Sequence, residues 1–306
     1  MAGKKQELAS VKKGPSQEVV SREEYARRVE EIKRCREDIC YFAENYFRIV
    51  TLDNGLQLIK LYPKQKEMLR MMVNEKRLVA LASRQSGKST AYNVFVLWYC
   101  MFHSAKAVMM CAQREATAVE LLSRIRMAYE YIPEWIKPSV VEYNKKSIEF
   151  GNMSSIKVFA TKGGGARGNT ANVLVLDEFA FVPPNEANEF FASVYPVISS
   201  GKNSKVIIVS TPNGAQGLYY DIWTQANLNT MDPEKNAEGW KPIRIDWFEV
   251  PGRDEKWKKQ QIASVGIEKW EQEFECQFTS SSFQKLIPSE LTDRYRKSYN
   301  KLVESS

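Results

Sequence analysis

The sequence predicts an α/β fold in which a mainly parallel central sheet is flanked by helices. Apolar runs of five or six residues alternate with longer segments whose apolar residues recur every three or four positions. The short runs are apolar throughout, which is typical of strands that are buried on both faces of a parallel sheet. The chain has 306 residues, 43% hydrophobic and 26% charged, and is long enough for one large domain and a small second unit.

The predicted elements follow from these two patterns. Four buried strands are predicted at Arg77–Ala82, Ala107–Ala112, Val173–Asp177 and Lys205–Ser210. Helices are predicted at residues 22–47, 63–74, 87–102 and 115–131. A hairpin of two further strands is predicted at Ser147–Phe150 and Ser155–Ala160.

Changes of composition predict the domain boundaries. Residues 1–21 are polar and lysine-rich, so a flexible tail is predicted there. Residues 22–230 carry the alternating pattern and are predicted to form the core, with a helical segment at its N-terminus. Residues 231–306 are charged and aromatic, with one possible strand at 243–247, and are predicted to form a small C-terminal lid or linker subdomain.

Composition also excludes several classes of protein. The longest apolar run, from Val94 to Phe102, is too short to span a bilayer, and the N-terminus lacks the apolar segment of a secretory signal. We therefore expect a cytosolic protein with no membrane partner. Five cysteines without a C-x-x-C pair, and a single histidine, argue against a zinc site. The net charge of +7 favours a polyanionic partner such as nucleic acid.

A phosphate-binding loop is predicted between the first buried strand and the helix that follows it. Residues 82–90 read A-S-R-Q-S-G-K-S-T, which departs from the G-x-x-x-x-G-K-[ST] pattern only at Ala82. Lys88 is predicted to reach the β- and γ-phosphates of ATP, and the Ser89 hydroxyl to bind Mg²⁺. The alternative is a G-K-S tripeptide that arose by chance. The loop residues predicted to contact the nucleotide are Ser83, Arg84, Gln85, Ser86, Gly87, Lys88, Ser89 and Thr90.

Two adjacent carboxylates end the third buried strand. In a parallel sheet the carboxyl ends of the strands line the ligand crevice, so Asp177 is predicted to hold Mg²⁺ there. Glu178 points in another direction and is predicted to orient and deprotonate the water that attacks the γ-phosphate. A strand that merely ends in exposed acids is the alternative, and the upstream phosphate loop argues against it.

Small hydroxyls and two arginines complete the candidate site. Ser210 and Thr211 end the fourth strand ahead of Pro212, where they are predicted to respond to hydrolysis; an ordinary Pro-Asn-Gly turn is the alternative. Arg84 lies within the phosphate loop and is placed to stabilise transition-state charge in the same chain. Arg167 lies in the glycine-rich stretch 162–168, from which it would reach a neighbouring subunit, or it is a flexible surface arginine.

Together these motifs resemble the large terminase subunit of tailed double-stranded-DNA phages, particularly the T4-like branch. S-R-Q-S-G-K-S-T is similar to the Walker A motif of that family, which also lacks the first glycine. L-D-E-F-A-F-V-P, at 176–183, resembles its Walker B motif and catalytic glutamate, and S-T-P-N-G, at 210–214, its coupling motif. Tyr62 and Gln65 fall in a segment similar to its adenine-recognition motif. The resemblance extends from about Tyr62 to Trp223, and less specifically to the ends of the chain.

The resemblance implies a P-loop NTPase fold of the ASCE/RecA-like class and a motor that uses ATP to drive viral DNA into a procapsid. Members form a ring, typically a pentamer, on the portal, although an isolated domain is also compatible with a monomer. The implied partners are viral double-stranded DNA, the portal protein and the small terminase subunit. The implied location is the host cytoplasm, with transient residence at the portal vertex. Both Arg84 and Arg167 match residues proposed as arginine fingers in the family, without settling which acts within a subunit.

The family's full-length members also carry a C-terminal nuclease domain. The matching region here reaches almost to residue 306, so the nuclease domain is expected to be absent and no nuclease activity is expected. Two other functions remain open. A helicase-like translocase would need a second RecA-like domain, for which the residues after Trp223 leave little room. A non-hydrolysing nucleotide switch would not need the base that Glu178 supplies.

Overall fold

A computed structural model describes residues 20–162, 166, 168–199, 201–228 and 239–279 of the chain. Almost all of the predicted N-terminal tail, residues 280–306 and the predicted finger Arg167 lie outside these residues. The described helices are α1 (Arg22–Glu37), α2 (Ile39–Tyr46), α3 (Pro63–Asn74), α4 (Lys88–Phe102), α5 (Glu115–Glu130), α6 (Pro184–Ser199), α7 (Leu218–Leu228), α8 (Glu255–Val265) and α9 (Ile267–Glu273). The strands are β1 (Arg48–Thr51), β2 (Gly55–Leu58), β3 (Arg77–Ala82), β4 (Ala107–Ala112), β5 (Val140–Asn144), β6 (Ser147–Phe150), β7 (Ser155–Ala160), β8 (Val173–Asp177), β9 (Lys205–Ser210) and β10 (Lys241–Ile245).

Eight of these strands form one sheet, in the order β10-β3-β9-β8-β4-β7-β6-β5. The pairs from β10 to β7 are parallel, whereas β6 and β5 extend the sheet in antiparallel pairing. The predicted class, an α/β fold with a mainly parallel central sheet flanked by helices, is confirmed. The four predicted buried strands and the predicted hairpin have the bounds that the sequence indicated.

Helices cover both faces of the sheet because alternate residues of each buried strand point to opposite sides. Leu78 and Ala80 of β3 pack into a core shared with α2, α3, α4 and α5. Val79 and Leu81 of the same strand pack into a second core with α6 and α7. Residues buried on both sides explain why these strands are apolar throughout.

The predicted helix at residues 22–47 is divided into two helices. Asp38 has extended backbone angles between α1 and α2, and its carboxylate accepts hydrogen bonds from the backbone N–H groups of Cys40 (2.8 Å) and Tyr41 (3.1 Å). The side chain therefore caps a new helix, for which apolar periodicity alone gave no signal.

The chain after residue 239 contributes to the sheet as well as to a satellite unit. Strand β10, predicted within the C-terminal subdomain, pairs in parallel with β3 at the edge of the core sheet. Beyond it, Trp247, Trp270 and Phe274 are buried in a small aromatic cluster, against which Trp257 is packed. Helices α8 and α9 are thus fixed beside the end of β3. Among the described residues, no helix combines the length and hydrophobicity that a membrane crossing needs.

Candidate active site

Three strand ends meet at one edge of the sheet. Strand β9 lies between β3 and β8, so Ser210 and Thr211 lie between the phosphate loop after β3 and the acidic pair after β8. A cavity of about 330 Å³ opens here, with Arg84, Asp177, Glu178, Thr211 and Glu273 among its lining residues. The sheet therefore brings together groups that are separated by more than 100 residues in sequence.

Glu178 is bound through both of its carboxylate oxygens. One carboxylate oxygen, Oε1, lies 2.8 Å from Lys88 Nζ. The other, Oε2, accepts hydrogen bonds from Ser210 Oγ (3.2 Å), Thr211 N (3.0 Å) and Thr211 Oγ1 (3.3 Å). Its backbone is left-handed, with φ +49°, which is uncommon for a residue with a Cβ atom and is found where surrounding contacts fix the conformation. The predicted base, phosphate-loop lysine and coupling residues are therefore in direct contact.

Asp177 is buried at the end of β8, with 5% of its surface exposed. Within the described part of the chain its Oδ1 atom has no hydrogen-bond partner. Burial, together with the charge of Glu178, raises the pKa of Asp177 to about 6, and the ammonium group of Lys88 opposes this rise. The hydroxyl of the fully buried Tyr92 lies close to both Asp177 and Ser89. An unpaired buried carboxylate oxygen and a serine hydroxyl that both lie near the same tyrosine are oxygen donors of the type that suits a hard cation.

The phosphate loop alternates between backbone conformations. Gln85 and Gly87 have positive φ angles, +56° and +71°, and α4 begins immediately afterwards at Lys88. Such alternation directs successive backbone N–H groups to one side and forms an anion-binding concavity. The hydroxyls of Ser83 and Ser86 are buried there without partners among the described residues. Lys88 is itself buried at the first position of α4, and Ser89 and Thr90 follow it in the first turn.

Tyr62 and Gln65 lie against this loop. The Tyr62 hydroxyl donates to the carbonyl oxygen of Ser86, and Gln65 Nε2 donates to the carbonyl oxygen of Gly87 over 3.3 Å. Gln65 Oε1 accepts from the backbone N–H of Tyr62 over 3.4 Å. Both side chains therefore bind the loop backbone, a structural contact, while their contact with adenine stays a prediction.

Residues from the C-terminal unit also contact the site, and sequence reasoning missed them. The guanidinium of Arg84 forms an ion pair with Glu273, whose carbonyl oxygen also accepts from Arg84 N over 2.7 Å. Gln272 Nε2 donates to the carbonyl oxygen of Pro212 over 3.0 Å. Arg253 donates to the carbonyl oxygens of Arg84 and Gln85. No local motif marks these residues, which lie in segments that read only as charged and aromatic.

Solved structures of phage terminases resemble this fold. A variant of the Thermus phage P74-26 large terminase ATPase domain is 19% identical, with a TM-score of 0.59, and the match covers 72% of this chain and 95% of that domain. The HK97 bacteriophage large terminase is 17% identical, with a TM-score of 0.62 over 78% of this chain and 53% of that protein. The large terminase of a thermophilic bacteriophage, in complex with ATP-γ-S, is 12% identical, with a TM-score of 0.52 over 72% of this chain and 53% of that one.

The sequence itself matches a family model. Residues 79–288 match the model for the terminase large subunit, T4likevirus-type, N-terminal region. The match begins within β3, just ahead of the phosphate loop, and includes the acidic pair, the coupling residues and the C-terminal aromatic unit. The chain therefore belongs to the family of T4-like-virus-type large terminase subunits, of which it carries the N-terminal region.

Proposed function

We propose that this chain hydrolyses ATP with the help of Mg²⁺ and is the motor domain of a viral DNA-packaging terminase. The observation that carries the proposal is the contact of Glu178 with Lys88 on one oxygen and with Ser210 and Thr211 on the other. A carboxylate held between a phosphate-loop lysine and a neighbouring strand end is placed to act on the water that attacks the γ-phosphate. Membership of the terminase family supports the motor function.

The residues present fit a magnesium nucleotide. Asp177 Oδ1 and the Ser89 hydroxyl offer oxygen ligands of the type that Mg²⁺ prefers. At Gly87 and Lys88, where the loop enters α4, backbone N–H groups and a buried ammonium group are offered to the phosphates. When bound, Mg²⁺ neutralises charge on the β- and γ-phosphate oxygens.

The protein's own groups then have separate roles. Lys88 leaves Glu178 for the phosphate oxygens when nucleotide binds, because their negative charge competes for the ammonium group. Glu178, now relieved of one partner and still held by Thr211 N, takes the proton of the attacking water. The hydroxyls of Ser210 and Thr211 donate to the carboxylate of Glu178. A change at this carboxylate during hydrolysis is thereby passed to the turn at Pro212.

We assign roles in this mechanism to Arg84, Arg167 and the two proposed adenine-binding residues. Arg84 acts within its own subunit once it leaves Glu273, and Arg167 acts on the nucleotide of a neighbouring subunit. Tyr62 and Gln65 contact adenine from the side of α3 while they hold the loop. The proposed partners are viral double-stranded DNA, the portal protein, the small terminase subunit and further copies of this chain in a ring. They meet in the host cytoplasm and at the portal vertex. We further propose that this N-terminal region of the terminase carries no nuclease activity.

Complementation between two inactive variants tests the ring and its trans-acting arginine. Arg167→Ala keeps the general base Glu178 but lacks the arginine finger. Glu178→Gln keeps the arginine finger but lacks the general base. If Arg167 acts in trans, mixing the two variants restores a measurable fraction of Mg²⁺-dependent phosphate release, and the wild type's specific activity rises with protein concentration. A mixture as inactive as its parts, beside a wild type whose specific activity is independent of concentration, would contradict action in trans.

A further inference from the structure

Four consecutive carbonyl oxygens of the phosphate loop accept hydrogen bonds from side chains outside the loop. Tyr62 and Gln65, from the start of α3, bind the last two of them. Arg253, from the segment just before α8, binds the first two. The acceptors are the carbonyl oxygens of Arg84, Gln85, Ser86 and Gly87.

Arg253 binds the loop with both ends of its guanidinium group. Its Nη1 and Nη2 atoms each lie 3.2 Å from the carbonyl oxygen of Arg84, and Nη2 lies 2.8 Å from that of Gln85. The same guanidinium group lies over the ring of Trp257, with 4.5 Å between its carbon and the ring centroid. Arg253 therefore lies between the loop and the aromatic cluster of Trp247, Trp257, Trp270 and Phe274.

The loop needs such support for a physical reason. When successive N–H groups face an anion, their carbonyl groups face elsewhere and need partners of their own. Gln85 holds a left-handed conformation without being glycine, a strained backbone that persists only if its surroundings fix it. A planar guanidinium group can bind two adjacent carbonyls in a fixed geometry, which a lysine ammonium group on a flexible stem cannot reproduce.

We infer that Arg253 is a positioning residue for the phosphate loop. It holds the anion-binding conformation by binding carbonyl oxygens of the loop, and it links the loop to the C-terminal aromatic cluster. The inference rests on the proposed ATPase function for its kinetic consequence. It concerns the shape of the phosphate site alone, so it can also be tested with a ligand that has neither base nor sugar.

The test compares Arg253→Gln and Arg253→Lys with the wild type in steady-state ATP turnover and in pyrophosphate binding by calorimetry. For Arg253→Gln, KM for ATP and Kd for pyrophosphate should rise together by about tenfold, the cost of losing charged hydrogen bonds to the loop, with a smaller fall in kcat. Arg253→Lys should recover part of the loss. The matched control is Arg244→Gln, since Arg244 donates to the carbonyl oxygen of Glu275 and not to the loop.

Each outcome separates this inference from the proposed function. Unchanged KM and Kd in Arg253→Gln would overturn the role of Arg253, and so would an equal loss in Arg244→Gln, because the effect would then be general destabilisation. A wild-type protein that binds pyrophosphate but never hydrolyses ATP would contradict the proposed function. The comparison of pyrophosphate affinities would still decide the role of Arg253. If Arg253→Gln failed to fold, Arg253→Lys, with its charge kept, would decide the same question, and its full equality with the wild type would overturn the inference.

Discussion

The residue Glu178 is held in one position by its surroundings. Its strained backbone and its two separately bound carboxylate oxygens fix the carboxylate. Fixing a catalytic group before the reaction lowers the entropy that the reaction step must lose. The ammonium group of Lys88 also compensates the charges of Asp177 and Glu178, since the two carboxylates are adjacent.

Lys88→Ala should lower ATP affinity and turnover together, each by about a hundredfold or more, because it removes the buried cation that we propose binds the phosphates. Nucleotide titration and phosphate release measure the two effects. Lys256→Ala, a change at an exposed lysine of α8, is the control and should leave both values unchanged. Turnover that survived in Lys88→Ala would show that the phosphates bind elsewhere.

The motif residues were predictable from sequence, whereas their distant partners were not. Lys88, Asp177, Glu178 and Thr211 each follow a buried strand or open a helix, so local pattern alone indicated where they lie. Glu273 approaches Arg84 across 189 residues of chain, and nothing near Glu273 distinguishes it from a solvated helix residue. Its role depends on tertiary packing, which local pattern does not encode.

At the scale of elements, α9 links two parts of the site. Its residues Gln272 and Glu273 contact the coupling turn at Pro212 and the phosphate loop at Arg84. The helix is short, and it is held by Trp270, which is fully buried against Trp247 and Phe274. Helix α9 therefore connects both segments to the C-terminal aromatic cluster.

Trp270→Ala should destabilise the C-terminal unit by about 3–5 kcal/mol, because it removes the central side chain of a small aromatic cluster. Chemical denaturation measures this loss, and KM for ATP should rise in the same variant because α9 supports Arg84. The matched control is Phe248→Ala, where 62% of the side chain is exposed and the expected change is within about 0.5 kcal/mol. Equal effects at the two positions would contradict the role given to the cluster.

Strands buried on both faces were predictable, whereas the more exposed strands β1, β2 and β5 were not. Strands β3, β4, β8 and β9 are continuous apolar runs, which have few alternative readings. Strands β2 and β5 are largely exposed and β1 is only partly buried, so their sequences carry no clear alternation. The pairing of β10 with β3 depends on the packing of the whole C-terminal segment, which composition assigned to a separate unit.

At the scale of the whole molecule, strand order creates the site. Because β9 is inserted between β3 and β8, Ser210 and Thr211 contact Glu178 directly. The sequence indicated the strands and their carboxyl ends but not this order, which follows from how the helical connections cross the sheet. The order also separates Asp177 and Glu178 from the phosphate loop by one strand, a distance that Lys88 spans with its long side chain.

The role of Glu178 as the general base is tested most directly by a single-turnover measurement with Mg²⁺-ATP. Wild type and Glu178→Gln are compared at equal nucleotide occupancy. Glu178→Gln retains the shape of the side chain and loses its basicity, so it should bind ATP with wild-type affinity. Its phosphate release should be slower by about 10²–10⁴-fold, the usual contribution of a general base. Hydrolysis by Glu178→Gln at the wild-type rate would contradict this role, because Glu178 would then not be the general base for ATP hydrolysis.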